Sequence, residues 1–161
     1  MITYIKGNLF DHIKKDETNI ILHICNDRGG WGSGFVMAIN KYLGVKPMNS
    51  YRSLKHYNLG EIDIVQVNPT TYVVNMIAQS IPGGVDIPLG GGNYIYIPPI
   101  RYECLRECLY RVKSILSQAT FVNKTINLIG PKFGSGLAGG DFNKISEIIN
   151  EVGLDINIYE L

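Results

Sequence analysis

Two glycine-rich segments constrain this chain more than any other feature. One runs Gly29-Gly30-Trp31-Gly32-Ser33-Gly34; it follows an apolar, β-branched stretch at residues 19–25 and opens a helical pattern over Phe35–Leu43. The other runs Gly134-Ser135-Gly136-Leu137-Ala138-Gly139-Gly140; it follows a second apolar β-rich stretch, 125–130, and leads into a second helical pattern after Asp141. Glycine clusters mark places where the backbone bends sharply or lets something approach closely. Two strand–glycine loop–helix units of this kind predict an α/β fold whose loops gather at the carboxyl ends of parallel strands.

The rest of the pattern agrees. Ile2–Lys6 alternates and is β-rich, and residues 61–67 and 72–78 read as two strands joined by Asn68-Pro69-Thr70-Thr71, a hairpin spacing. Residues 101–118 carry the clearest helical stripe: Leu105, Cys108, Leu109, Val112, Ile115 and Leu116. A last helix with stripe Ile145, Ile148, Ile149 and Val152 is bracketed by Asp141 as cap and Gly153 as stop, and 155–159 reads as a closing strand. Phe35, Ala38, Ile39 and Leu43 form the stripe of the first helix, and 47–57 reads as irregular helical turns. Residues 80–99, rich in Gly and Pro, read as a long loop, with Tyr94-Ile95-Tyr96-Ile97 as a short edge strand or lid within it. The expectation is one three-layer α/β/α domain over residues 1–161, with a mixed, mostly parallel central sheet.

Composition narrows the function. With 15 Lys and Arg against 14 Asp and Glu, the net charge is +1, which argues against binding nucleic acid by bulk charge. Apolar residues make up 45%, enough for a core, and no apolar run approaches the ~20 residues of a membrane span. The chain opens on a strand pattern rather than a secretory leader. Its three cysteines, Cys25, Cys104 and Cys108, are odd in number and lack C-x-x-C spacing, so the reducing cytoplasm is the expected compartment. His12, His23 and His56 have no partners at metal-ligand spacing, so neither metal nor cofactor is expected.

A glycine loop that opens a helix offers unpaired amides and the positive end of the helix dipole, a favourable place for phosphate. Either loop read alone is better read as a tight strand-to-helix turn. Two in matching positions favour a cradle that closes on a diphosphate from both sides. A nicotinamide-binding G-x-G-x-x-G does not follow the first strand, which ends in Lys6-Gly7-Asn8-Leu9, and no G-K-[ST] exists for a P-loop.

These residues resemble the macrodomains, which bind ADP-ribose. Lys6-Gly7-Asn8-Leu9 is similar to that family's K-G-D-I/L opening. Asn26 through Ile39 is similar to its N-x6-8-G-G-G-V-A-x-A-I segment, and Pro131 through Gly139 to its P-x-I-x-x-G-I-x-G loop. The ending Ile158-Tyr159-Glu160-Leu161 resembles the close of one subgroup. That subgroup contains ADP-ribose-1''-phosphate phosphatases and hydrolases that release terminal ADP-ribose from glutamate. The pattern His23-x-Cys25-Asn26 with Gly30-Trp31-Gly32-x-Gly34 looks most like the phosphatase branch.

The resemblance implies roles. Asn8 and the backbone of Leu9 would read the adenine edge, with Tyr159 and Leu161 packed nearby. The backbone of Gly32, Ser33, Gly34 and Phe35 would hold one phosphate; Gly134, Ser135, Gly136, Leu137 and Gly139 would hold the other. Trp31, Gln79 and Ala138 would line the pocket. Asn26 would position the distal ribose, His23 would act as acid or base, and Asp27 would orient a water.

Two departures matter. Ala138 stands where many members carry an aromatic wall, leaving Phe133, Trp31 or the 80–99 segment to close the pocket. The glutamate-hydrolase branch has an Asp at that position and a Lys near Ser80, and this chain has neither. Asp86 could swing over the pocket from its loop, and Arg28 and Lys132 flank the two glycine loops. The expected activity is hydrolysis of ADP-ribose-1''-phosphate to ADP-ribose and phosphate by a monomer with no membrane partner. The alternatives are a reader of ADP-ribose with little turnover, or an ADP-ribosyl hydrolase acting on modified protein or nucleic acid.

Overall fold

A computed structural model describes residues 1–80, 85–136 and 138–161. Its framework is a six-stranded sheet in the order β1-β8-β7-β2-β4-β3, with strands β1 Ile2–Lys6, β2 Thr18–Asn26, β3 Ile62–Asn68, β4 Thr71–Gln79, β7 Ile126–Pro131 and β8 Ile156–Glu160. Every neighbouring pair is parallel except the β3–β4 hairpin. The helices are α1 Phe35–Leu43, α2 Lys46–Arg52, α3 Tyr102–Leu116 and α4 Phe142–Val152.

Strand side chains alternate between faces, and this alternation builds the three layers. Ile20 and Leu22 of β2, with Tyr72, Val74, Met76 and Ala78 of β4, pack against Leu105, Leu109, Ile145 and Ile149 of α3 and α4. Ile21 and Cys25, with Val73 and Ile77, face Val36 and Ile39 of α1 and Tyr51 of α2 on the other side. The expected mixed, mostly parallel α/β/α architecture is the one found.

The helix limits follow from local chemistry. Asp141 caps α4 by accepting a hydrogen bond from the Asn143 amide at 2.9 Å, and Gly153 ends it in the left-handed region at φ 85°. Helix α1 has the expected limits, but its buried pair is Val36 and Ile39, while Phe35 is half-buried. The reason is the cleft below, which opens beside Phe35. Cys108 is buried as expected, whereas Cys104 is only partly covered.

The segment read as a long loop is a correction. It holds a separate two-stranded sheet, β5 Val85–Gly90 and β6 Asn93–Ile97, turned by Gly91 and Gly92. The Tyr/Ile alternation marked β6 correctly. Pro88 obscured β5, because proline is tolerated in a strand only where no partner needs its missing amide. Asp86 is exposed on this hairpin and does not line the cleft.

Candidate functional site

Three parallel strands, β7, β2 and β4, lie side by side and end together at Pro131, Asn26 and Gln79. Beyond those ends lies a cleft of about 740 Å³, walled on one side by Gly30 to Val36 and on the other by Pro131 to Gly134, Gly136 and Ala138, with His23, Ile24, Cys25, Asn26 and Gln79 as its floor. This is where ligands settle in open α/β sheets.

The first loop is held from below. Asn26 Oδ1 accepts from the amides of Arg28 at 2.9 Å and Gly30 at 3.0 Å, and from Tyr51 Oη at 3.0 Å. Tyr51 Oη shares its one proton between that oxygen and the Asn26 backbone carbonyl, and accepts from the Gly29 amide at 3.1 Å. Tyr51 is fully buried, and burial raises its phenol pKa, so the hydroxyl stays protonated. The loop then reaches Gly34, which takes φ 79° and carries no capping side chain. Among the described residues, the amides of Gly32, Ser33, Gly34, Phe35 and Val36 have no acceptor within the chain. These five donors stand at the positive end of α1.

The second loop is closed by its own backbone. The Gly140 amide donates to the Gly134 carbonyl at 2.7 Å, and a Cβ on Gly140 would lie 2.3 Å from that same oxygen, so only glycine fits. The Ser135 amide bonds to the Lys132 carbonyl at 3.4 Å, and the Gly139 amide to the Gly136 carbonyl at 3.0 Å. The amides of Gly134, Gly136 and Ala138 have no acceptor among the described residues. The donors on this side are therefore a different subset from the one expected: Ser135 and Gly139 spend their amides on the turn itself. Leu137 lies outside the described residues.

The structure thus brings His23, Asn26, Trp31, Gly32, Ser33, Gly34, Phe35, Gln79, Gly134, Gly136 and Ala138 into one cleft, and leaves seven expected residues off its lining. Asn8 caps a short 3-10 turn through the Phe10 amide at 3.0 Å and donates to Tyr42 Oη at 3.1 Å. Leu9 is buried in the core. Tyr159 is buried against His12, ring centroids 4.8 Å apart, while Leu161 is 97% exposed. Asp27 accepts from Ser80 Oγ at 3.2 Å, and its other oxygen, Oδ1, is buried without a hydrogen-bond partner. Ser135 and Gly139 complete the seven.

Asn26 is the sharpest difference in role. Its carbonyl oxygen is saturated by the loop, so only its Nδ2, which makes one long bond of 3.4 Å to the Gly30 carbonyl, can serve a ligand. Trp31 is both wall and core: it is 3% exposed, with Nε1 donating to Asn40 Oδ1 at 3.0 Å. Lys132 lines the cleft but pairs with Glu160 at 3.1 Å. Phe133, buried and on the lining, occupies the side left open by Ala138.

His23 is 2% exposed, and its Nε2 lies 2.5 Å from Asn75 Oδ1. Burial pushes its pKa down to about 4, against the opposing pull of that hydrogen bond, so the ring is neutral near pH 7. Cys25 sits 3.9 Å from the same nitrogen, and burial followed by the nearby Asp63 carboxylate pushes its thiol well up. It is therefore a thiol and not a nucleophilic thiolate. Sequence reading missed Asn75, Asp63 and Tyr51. For Asn75 there was a signal: a polar residue in the middle of an otherwise apolar strand.

Among the described residues no group of His, Cys, Asp or Glu could hold a metal ion, and no helix is long and apolar enough to cross a membrane.

The fold and the amide-lined cleft define the class: the chain has the macrodomain fold. Comparison with known proteins places it more closely. No family model matches. The solved macrodomain protein from Streptomyces coelicolor is 26% identical with a TM-score of 0.72, covering 100% of this chain and 99% of that one. A protein of unknown function from Bacteroides thetaiotaomicron is 34% identical with a TM-score of 0.82, covering 100% and 98%. Among curated proteins, the ADP-ribose 1''-phosphate phosphatase of Lodderomyces elongisporus is 24% identical over 98% of this chain and 97% of its own length. The protein of the same name from Candida albicans is 41% identical over 59 residues, a match that spans 36% of this chain and 37% of that protein. The chain thus has the macrodomain fold and resembles the ADP-ribose 1''-phosphate phosphatases.

Proposed function

We propose that the cleft binds ADP-ribose 1''-phosphate and hydrolyses it to ADP-ribose and inorganic phosphate. One observation carries this reading: five successive unpartnered amides, Gly32 to Val36, face unpartnered amides of Gly134, Gly136 and Ala138 across one cleft. Such fixed donors hold a pyrophosphate and stabilise charge that grows on a phosphoryl oxygen. Water attacks phosphorus, the bond to the ribose oxygen breaks, and that oxygen takes up a proton. His23, neutral and with Nε2 engaged, accepts a hydrogen bond from the water or from ribose. Asp27 has no part in this step, because it lies off the cleft lining and its unpartnered Oδ1 is buried. Asn26 Nδ2 addresses the distal ribose. The names of the yeast relatives support the substrate. The test is phosphate release from ADP-ribose 1''-phosphate, expected in wild type and lost in His23→Ala.

A specific observation favours a second reading, an ADP-ribose binder with slow turnover. A histidine held near pKa 4 is a weak base and no acid at neutral pH, so little proton transfer is available from it. Stabilisation by ADP-ribose with no phosphate released would select this reading. The three free cysteines suit a reducing compartment, and we take the 161 residues as one domain acting as a monomer.

A further inference from the structure

A chain of polar groups, buried at His23 and Asn75 and partly buried at Asp63 and Ser50, runs across the sheet to the floor of the cleft, and the reading above uses only its last member. Strand register sets it up. His23 of β2 is level with Asn75 of β4, and Asn75 is level with Asp63 of β3. Asn75 is 0% exposed, in a strand whose neighbours are apolar. A buried amide is costly unless its hydrogen bonds are made. Here Nδ2 donates to Asp63 Oδ2 at 3.2 Å and to the Pro47 carbonyl at 3.2 Å. Asp63 is held in turn by Ser50 Oγ, 3.0 and 3.1 Å from its two oxygens.

Both partners of Nδ2 are acceptors, so the amide has one orientation. Its carbonyl oxygen must be the atom that faces His23 Nε2. An oxygen there requires a hydrogen on the nitrogen. In a neutral ring Nε2 then carries the only proton, and Nδ1 keeps its lone pair. We propose that Asn75, oriented by Asp63, is the positioning residue that locks His23 in the Nε2–H tautomer. His23 lines the cleft, so the lone pair it has left for a ligand is the one on Nδ1, which takes a hydroxyl or water and repels a phosphate oxygen. This deepens the reading of the cleft as a nucleotide-sugar site, and it places ribose or water, not phosphate, against His23.

The test is a long-range proton–nitrogen NMR correlation on the protein labelled with nitrogen-15 histidine. In wild type at neutral pH, His23 should show a protonated Nε2 and an unprotonated Nδ1. Asp63→Asn removes the charged acceptor and lets the Asn75 amide reverse, so the single tautomer should give way to a mixture. Asn75→Leu should lose it outright; if that variant does not fold, Asp63→Asn decides. An Nδ1–H or doubly protonated ring in wild type overturns the proposal. So does an unchanged tautomer in the folded variants. Adding ADP-ribose should then move the Nδ1 resonance and leave Nε2 protonated, and loss of the lock should weaken binding about tenfold. Bound ADP-ribose with Nδ1 unmoved overturns the hydroxyl contact. If ADP-ribose does not bind at all, the nucleotide-sugar reading fails, while the tautomer lock is still decided by the free protein.

Discussion

Replacing Gly32 with alanine separates ligand binding from stability. Gly32 lines the cleft, does not take a positive φ, and a Cβ built on it meets nothing within 4 Å. The methyl therefore collides with no part of the protein and strains no backbone. Restricting the unfolded chain should even raise stability by ~0.4–1 kcal/mol. The same methyl stands beside the Gly32 and Ser33 amides, two of the five donors without an acceptor in the chain. A hydrogen bond to a charged group contributes ~1.5–3 kcal/mol. Loss of one such bond should weaken ADP-ribose binding by about tenfold at the low end and by about a hundredfold at the high end. Isothermal titration gives the affinity, and thermal denaturation gives the stability. A Gly32→Ala variant that melts at or above the wild-type temperature and binds ADP-ribose with wild-type affinity would refute the cradle. A lowered melting temperature would refute the assignment of Gly32 to the ligand rather than to the fold.

Other substitutions divide along the same line. Gly140→Ala forces a Cβ to within 2.3 Å of the Gly134 carbonyl; overpacking of this kind costs ~1–3 kcal/mol, and the denaturation midpoint should fall accordingly. Asp141→Ala removes the cap on α4 and should cost ~1 kcal/mol in the same assay. His23 makes stability depend on pH. Its folded pKa lies below its unfolded value, so its contribution is complete above pH 6.5 and is lost as pH falls toward about 4. The interval from 6.5 to about 4, at about 1.4 kcal/mol per pH unit, is worth about 3 kcal/mol. Urea midpoints should drop over that range in wild type and stay flatter in His23→Gln.

The layers of the fold were legible because burial imposes periodicity. The stripes of α3 and α4, the apolar runs of β2 and β7, and the Asp141 and Gly153 signals all fall where the structure has them. The β5–β6 hairpin was harder to read because Ile87, Leu89, Tyr94, Ile95 and Tyr96 are exposed, so no burial pattern disciplines them. The cleft was legible as two glycine loops. Which amides remain free was not, because that depends on how each loop closes on itself: Gly140 to Gly134, and Gly139 to Gly136. Nor could spacing tell that Asn26 would spend its carbonyl on its own loop, or that Tyr51, 25 residues away, would anchor it. The Ser50–Asp63–Asn75–His23 chain joins residues from a helix and three strands, and only strand register makes them neighbours.

The central claim is that backbone amides of both loops grip a pyrophosphate. Amide chemical shifts of nitrogen-15-labelled protein, followed while ADP-ribose is added, test it most directly. The account predicts saturable shifts concentrated at Gly32 to Val36 and at Gly134, Gly136 and Ala138. Shifts confined to some other surface, or none at millimolar ligand, would contradict it.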